Sequence, residues 1–201
     1  MISLAGRDIL YSWGKFVFTG FGLGLLIGVT LSMAGIYRGM VDDANVLMDN
    51  SGADLWVTQK DTLGPYAEPS SLYDDLYRGL LSMEGVAKAV NVTYLTMQVR
   101  QGERDVRAMV VGTTLGGFAE PGQPRFLAAG RQITRSHYEA VADVAAGFRL
   151  GDQITIRRNN YIVVGLTRRM VSSSGDPMIF IPLRDAQEAQ FLKDNDSILQ
   201  Q

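Results

Sequence analysis

The chain has 201 residues, 46% hydrophobic and 20% charged, with a net charge of −2 and no cysteine. That length supports one medium domain or two small ones. The lack of cysteine excludes a disulfide framework, and the faintly acidic balance offers no basic face for nucleic acid.

The first 14 residues, with Ile2, Ile9, Leu10 and Trp13 set among Arg7 and Asp8, read as a short amphipathic helix lying in a membrane surface. From Phe16 to Tyr37 there is no charged residue, a run of 22 positions between Lys15 and Arg38. As a helix it covers roughly 33 Å, the thickness of a bilayer's hydrocarbon core, so residues 15–40 are expected to form one transmembrane helix. Its glycines include Gly22-x-Gly24-x-x-x-Gly28, but the preceding strand that a dinucleotide fingerprint needs is missing. Gly20, Gly24, Gly28 and Ser32 instead recur every fourth residue and lie along one face, where small side chains let a second helix approach closely. Ser32-Met33-Ala34 fits a signal-peptidase pattern, yet the apolar run is longer than a signal core and continues past that point, which favours an uncleaved anchor. Arg7 and Lys15 precede the span and Arg38 follows it, with Asp42, Asp43 and Asp49 close behind. This bias places the amino terminus in the cytoplasm and the rest outside. Met40 to Asn50 carries good helix formers, so the helix is expected to run on as a stalk until the stop at Asp49 to Gly52.

"ADLWVTQ" (53–59) reads as a buried strand, and Gly64, Pro65 and Pro69 break the chain after it. A helix over 71–84 is predicted from Ser71 and Asp74 as a capping pair, the Leu72, Leu76 and Leu80 repeat, and Gly85 as its end. Residues 87–100 and 104–112 flank Gln101-Gly102-Glu103 as a hairpin. Residues 112–126, rich in glycine and proline, read as a linker to a second part. A tight turn at Leu150-Gly151-Asp152 precedes another hairpin, 153–169, predicted to turn at Asn159-Asn160. The chain then shows a strand at "MIFIPL" (178–183) and a helix at "RDAQEAQFL" (184–192).

Chemistry-bearing motifs are sparse. There is no phosphate-binding P-loop, no H-E-x-x-H and no G-x-S-x-G. His137 is the only histidine and has no second His or Cys beside it to share a metal. Ser172-Ser173-Ser174 with Asp176 reads as a polar turn rather than part of a triad. Asp42-Asp43 and Asp74-Asp75 read as solvated helix positions, and the basic doublets Arg157-Arg158 and Arg168-Arg169 as solvated strand ends. Asn91-Val92-Thr93 and Asn195-Asp196-Ser197 match a glycosylation sequon by coincidence. These residues argue against an active site: no catalytic, cofactor-binding or metal-binding residue is assigned.

The segments "ISLAGRDIL", "GADLWV", "SSLYDDLYRGLLSMEGVAKAV", "FRLGDQITI", "NNYIVVGLT" and "DPMIFIPLRDAQEAQF" together resemble the MacB/FtsX-like ABC transporter permeases and their MacB-type periplasmic core domain. The resemblance implies an α+β fold: one N-terminal transmembrane helix followed by an extracytoplasmic mixed α/β domain over 41–201. Within it, about 41–115 and 176–201 would form a porter-like part and about 116–175 an inserted β-rich subdomain. It also implies a permease subunit in the inner membrane that transmits ATP-driven motion to the outside and exports a hydrophobic or peptide-like substrate. Its partners would be a separate cytoplasmic ABC ATPase that binds the ATP, a second permease copy, a periplasmic adaptor protein and membrane lipid. The resemblance implies three further spans, and no second apolar run follows Leu192, so the chain is expected to correspond to an amino-terminal portion. The alternative is a single-span anchored adaptor or ligand-binding protein.

Overall fold

The computed structural model describes residues 11–64, 70–115, 121–172 and 174–191, with backbone alone at 43, 44, 46 and 47. The amphipathic segment before Tyr11, the prolines of 65–69, the centre of the linker at 116–120, Ser173 and the second sequon lie outside these residues. The chain divides into two units, Met1–Asp42 and Asp43–Gln201.

Helix α1 runs from Trp13 to Ser51 without a break. Its part from Trp13 to Asp42 is long and apolar enough to cross a membrane, and its side chains are exposed. The hydroxyls of Thr19 and Thr30 donate to the carbonyls of Lys15 and Leu26, each at 2.8 Å. This satisfies them inside the helix, as hydrocarbon surroundings require. The expected stalk is therefore helical to Ser51, where the Ser51 carbonyl accepts from Gly122 N–H at 2.7 Å.

The second unit is built on strands β1 (Val92–Gln101), β2 (Arg104–Thr113), β3 (Ala129–Gly130), β4 (Glu139–Asp143), β5 (Gln153–Ile156), β6 (Asn159–Thr167) and β7 (Met178–Pro182). Their order is β3-β6-β4-β7-β2-β1-β5, and β5 also pairs with β6. Six strands thus close into a ring, with β3 as an extra rung on β6. The segment 116–175 supplies β3 to β6, and these share one sheet with β1, β2 and β7.

Strand alternation fills the ring. Val99, Ala108, Val110, Ala140, Ala142, Ile154, Ile156, Tyr161, Val163, Ile179 and Ile181 form one buried cluster with Phe148. The intervening residues Val111, Val141, Met178 and Phe180 belong to a second cluster with Ile133 and Met170. The "MIFIP" strand is buried at every position, as its unbroken apolar run dictates. Helix α3 (Leu183–Phe191) follows it directly and packs through Ala186 over Gly112 of β2.

Three expectations are corrected. Residues 53–59 form no strand, and Leu55 and Val57 are exposed rather than buried, because no strand of the sheet pairs with this segment. The helix predicted over 71–84 shrinks to α2, Leu76–Leu81, with no buried residue and with Asp75 rather than Ser71 at its start. The second hairpin turns at Arg157-Arg158, because Ile156 pairs with Asn159 and Thr155 with Asn160. Arg157 takes φ 57°, and the Thr155 hydroxyl donates to Asn160 Oδ1 at 2.8 Å. The first hairpin turns at Gly102-Glu103 between Gln101 and Arg104, with Gly102 at φ 60°.

Candidate functional site

Gly20, Gly24, Gly28 and Ser32 lie on the exposed surface of α1, and a Cβ added at any of the three glycines meets nothing within 4 Å.

The residues considered for chemistry separate. Ser172 is buried; its Oγ accepts from Ser174 N–H at 3.3 Å and from Asp176 N–H at 3.1 Å, which makes the segment a hydrogen-bonded polar turn. Asp176 is bridged by Arg107 at 3.1 Å. His137 is drawn to a different acid: its Nδ1 lies 2.5 Å from Oδ1 of Asp185, whose other oxygen accepts from Tyr138 N–H at 3.1 Å. Asp185 sits in the first turn of α3 and is 1% exposed, so this pair fastens α3 to the segment before β4. Tyr138 adopts φ 64°, a conformation rare for a bulky residue, and its ring packs against Tyr161. Burial pushes the Tyr161 hydroxyl well above the ordinary phenolic range. The 48-residue separation of His137 and Asp185 leaves no local signal in the sequence.

A second network surrounds Glu139 at the start of β4. Arg131 donates to both its carboxylate oxygens, and Thr134 and Arg135 donate backbone N–H groups at 2.9 and 3.1 Å. The Arg131 hydrogen bonds, reinforced by these N–H groups, outweigh burial and hold the Glu139 carboxyl down at about 2. Asp143 at the other end of β4 goes the opposite way: burial raises it despite the N–H groups of Ala145 and Met170 at 2.8 Å.

Asp74 is exposed, as expected, but lies in the turn before α2 and makes a tie. Its Oδ1 accepts from Asn91 at 2.8 Å and from Gln187 at 3.1 Å, joining the segment before α2 to β1 and α3. The Asn91 amide is thus engaged within its sequon. Beside these residues opens a cleft of about 1340 Å³ whose lining includes Leu55, Trp56, Leu76, Tyr77, Met83 and Phe191. Among the described residues no group of three His, Asp or Glu side chains is placed to hold a metal ion.

The sequence model of the MacB-like periplasmic core domain matches residues 16–199. The chain belongs to that family. The MacB-like domain is 26% identical over 192 residues to an uncharacterized ABC transporter permease of Mycobacterium tuberculosis, covering 95% of this chain and 53% of the relative. A Mycobacterium bovis protein of the same description is 23% identical over 191 residues, with 95% and 53% covered. The chain thus spans about half the length of the curated relatives it matches. Among solved structures, the extracellular domain of the noncanonic ABC-type transporter YknZ from Gram-positive bacteria aligns with a TM-score of 0.46 and 14% identity, over 66% of this chain and 79% of that one. The periplasmic region of MacB from Actinobacillus actinomycetemcomitans aligns with a TM-score of 0.39 and 16% identity, over 53% of each. The likeness to MacB/FtsX-like permeases read from the sequence is shown at the level of family. One apolar helix followed by a mixed α/β MacB-like domain fits a membrane location.

Proposed function

We propose that the chain is the amino-terminal part of a permease subunit in an ABC-type export or mechanotransmission complex. The observation that carries this reading is the uninterrupted helix Trp13–Ser51, apolar to Asp42, whose last turn is bonded into a MacB-like domain through Asn50 and Ser51 carbonyls. A helix so anchored passes a displacement of the span to the domain without needing chemistry of its own. ATP hydrolysis belongs to a separate cytoplasmic ATPase, and the domain lies outside the cytoplasm, as the Arg7 and Lys15 flank supports. Reporter fusions at Gly64 and Gly122 are expected to behave as exported; cytoplasmic-type activity at both would reverse the orientation.

The open face through Gly20, Gly24, Gly28 and Ser32 is the proposed contact with a further span or a second permease copy. In the full-length permease co-expressed with its ATPase, Gly24→Leu and Gly28→Leu are expected to reduce both recovery of the complex and stimulated ATPase activity. Leu25→Ile and Val29→Leu, which keep the hydrophobicity, are expected to leave both intact. Equal tolerance at all these positions would reduce the helix to an anchor. If no ATPase accompanies even the unaltered permease, the single-span adaptor reading replaces this one.

A further inference from the structure

Strand β1 outlasts its neighbour on one side. Strand β2 pairs with it from Val92 to Gln101, whereas β5 reaches only Val99 and Arg100, because the chain turns back at Arg157-Arg158 directly after Ile156. Among the described residues no strand lies beside Val92 to Gln98 on that side. Gln101 and Arg104 close the hairpin as a pair, so the odd-numbered residues of β1 exchange hydrogen bonds with β2 and the even-numbered ones turn N–H and C=O outward. Within the open stretch, Thr96 and Gln98 are the exposed members of the outward set.

Open strand edges are ordinarily guarded by a charge, a proline or a bulge. The stretch from Val92 to Gln98, "VTYLTMQ", has none of the three, and its register with β2 is unbroken. The first charge, Arg100, falls where β5 takes over.

The cleft beside α2 surrounds this edge. Tyr94, Thr96 and Met109 line it from one face of the sheet and Gln187 and Phe191 of α3 from the other, so it wraps around β1. Its volume of about 1340 Å³ exceeds the roughly 300–1,000 Å³ of a small-molecule pocket. Tyr94 is engaged through its side chain, with its ring 6.2 Å from that of Trp56. The charged residues of the lining are Asp54, Asp74 and Lys88, and Asp74 is held by Asn91 and Gln187. One carboxylate and one ammonium group remain, a balance that matches an uncharged occupant.

We propose that the Val92–Gln98 edge takes up an extended, uncharged segment of another polypeptide as an added strand. The N–H and C=O groups along such an edge are met in register by another extended backbone, which neither a lipid nor a helix offers. A second copy cannot pair with it edge to edge, because its own β1 is recessed in the same cleft. The assignment does not rest on an ATPase: the edge is open whatever drives the domain.

The test uses the full chain in neutral-lipid nanodiscs, with dansyl-labelled Thr-Val-Thr-Val-Thr-Val-Thr as probe and the same peptide N-methylated at every residue as its counterpart. The probe is expected to bind saturably and to slow amide exchange over residues 92–98, with β6 and β7 unaffected. The N-methylated peptide, which cannot pair, is expected not to bind. Thr96→Pro removes an outward N–H without taking a bond from β2 and is expected to weaken binding at least about tenfold. Thr96→Val keeps the amide and is expected to bind as the unaltered chain does. Failure of the probe to bind, equal binding of the two peptides, equal losses in the two variants, or protection away from β1 would overturn the proposal. So would protection of residues 92–98 that rises with protein concentration in the absence of probe, which would make a second copy the occupant. Should Thr96→Pro not fold, the comparison of the two peptides still decides.

Discussion

Replacing Glu139 by Gln is expected to lower the stability of the domain by about 2–3 kcal/mol at neutral pH and its melting temperature by about 5–10 °C. The carboxylate is 5% exposed and accepts from Arg131, Thr134 and Arg135, so the neutral amide loses charge-assisted bonds and turns donors toward donors. Arg131 is half exposed, and water screening it keeps the loss below that of a fully buried pair. The pH dependence gives the signature. The folded-state pKa is lowered to about 2 from 4.5, so the stabilisation is complete above the unfolded value and disappears as pH falls from 4.5 toward 2. Acid unfolding of the unaltered protein and the variant should therefore converge near the lower end of that window. Parallel acid-unfolding curves, separated by the same amount at pH 7 and pH 2, would show that Glu139 does not supply this stability.

Gly112→Ala is expected to cost about 1–3 kcal/mol although it adds a single methyl group. The added Cβ would collide with Cβ of Ala186, which belongs to the backbone-proximal surface of α3 and cannot swing aside, and would press on Leu183. The only relief is displacement of α3, which the buried Asp185 pair with His137 and Tyr138 resists. Ala186→Gly reopens the space at the expense of about 1 kcal/mol of helix propensity. The two changes together should thus be less destabilising than the sum of each alone. Strict additivity in thermal or denaturant unfolding would mean that the two residues do not meet.

Local signals were readable where they coincide with what the fold needs. The apolar run of the span, Gly102 in the first turn and the unbroken "MIFIP" core strand each carry their own conformational reason. The failures share a cause as well. Asn159-Asn160 is a turn signal, but burial of Ile154, Ile156 and Tyr161 in one interior fixes the strand register and moves the turn to Arg157-Arg158. The leucine repeat of 71–84 has no surface to pack against, and α2 accordingly stops after six residues with none buried. The His137–Asp185 pair depends on the pairing of β4 with β7, which joins residues far apart in sequence.

The position of β7 governs the order in which this protein can be completed. It lies between β2 and β4, parallel to the one and antiparallel to the other, and joins the two halves of the ring. Strand β2 is finished at Thr113, but its neighbour begins only at Met178. At about 5–20 residues per second, the ribosome takes roughly 3–13 s to supply the intervening chain. Throughout that interval one long edge of the β1–β2 hairpin stays unpaired, and the residues destined for the barrel interior stay wet. A nascent chain in this state presents a sticky β edge to its neighbours, so a holding factor or slow crowding-free delivery would matter more here than for a domain whose strands pair in the order they are made.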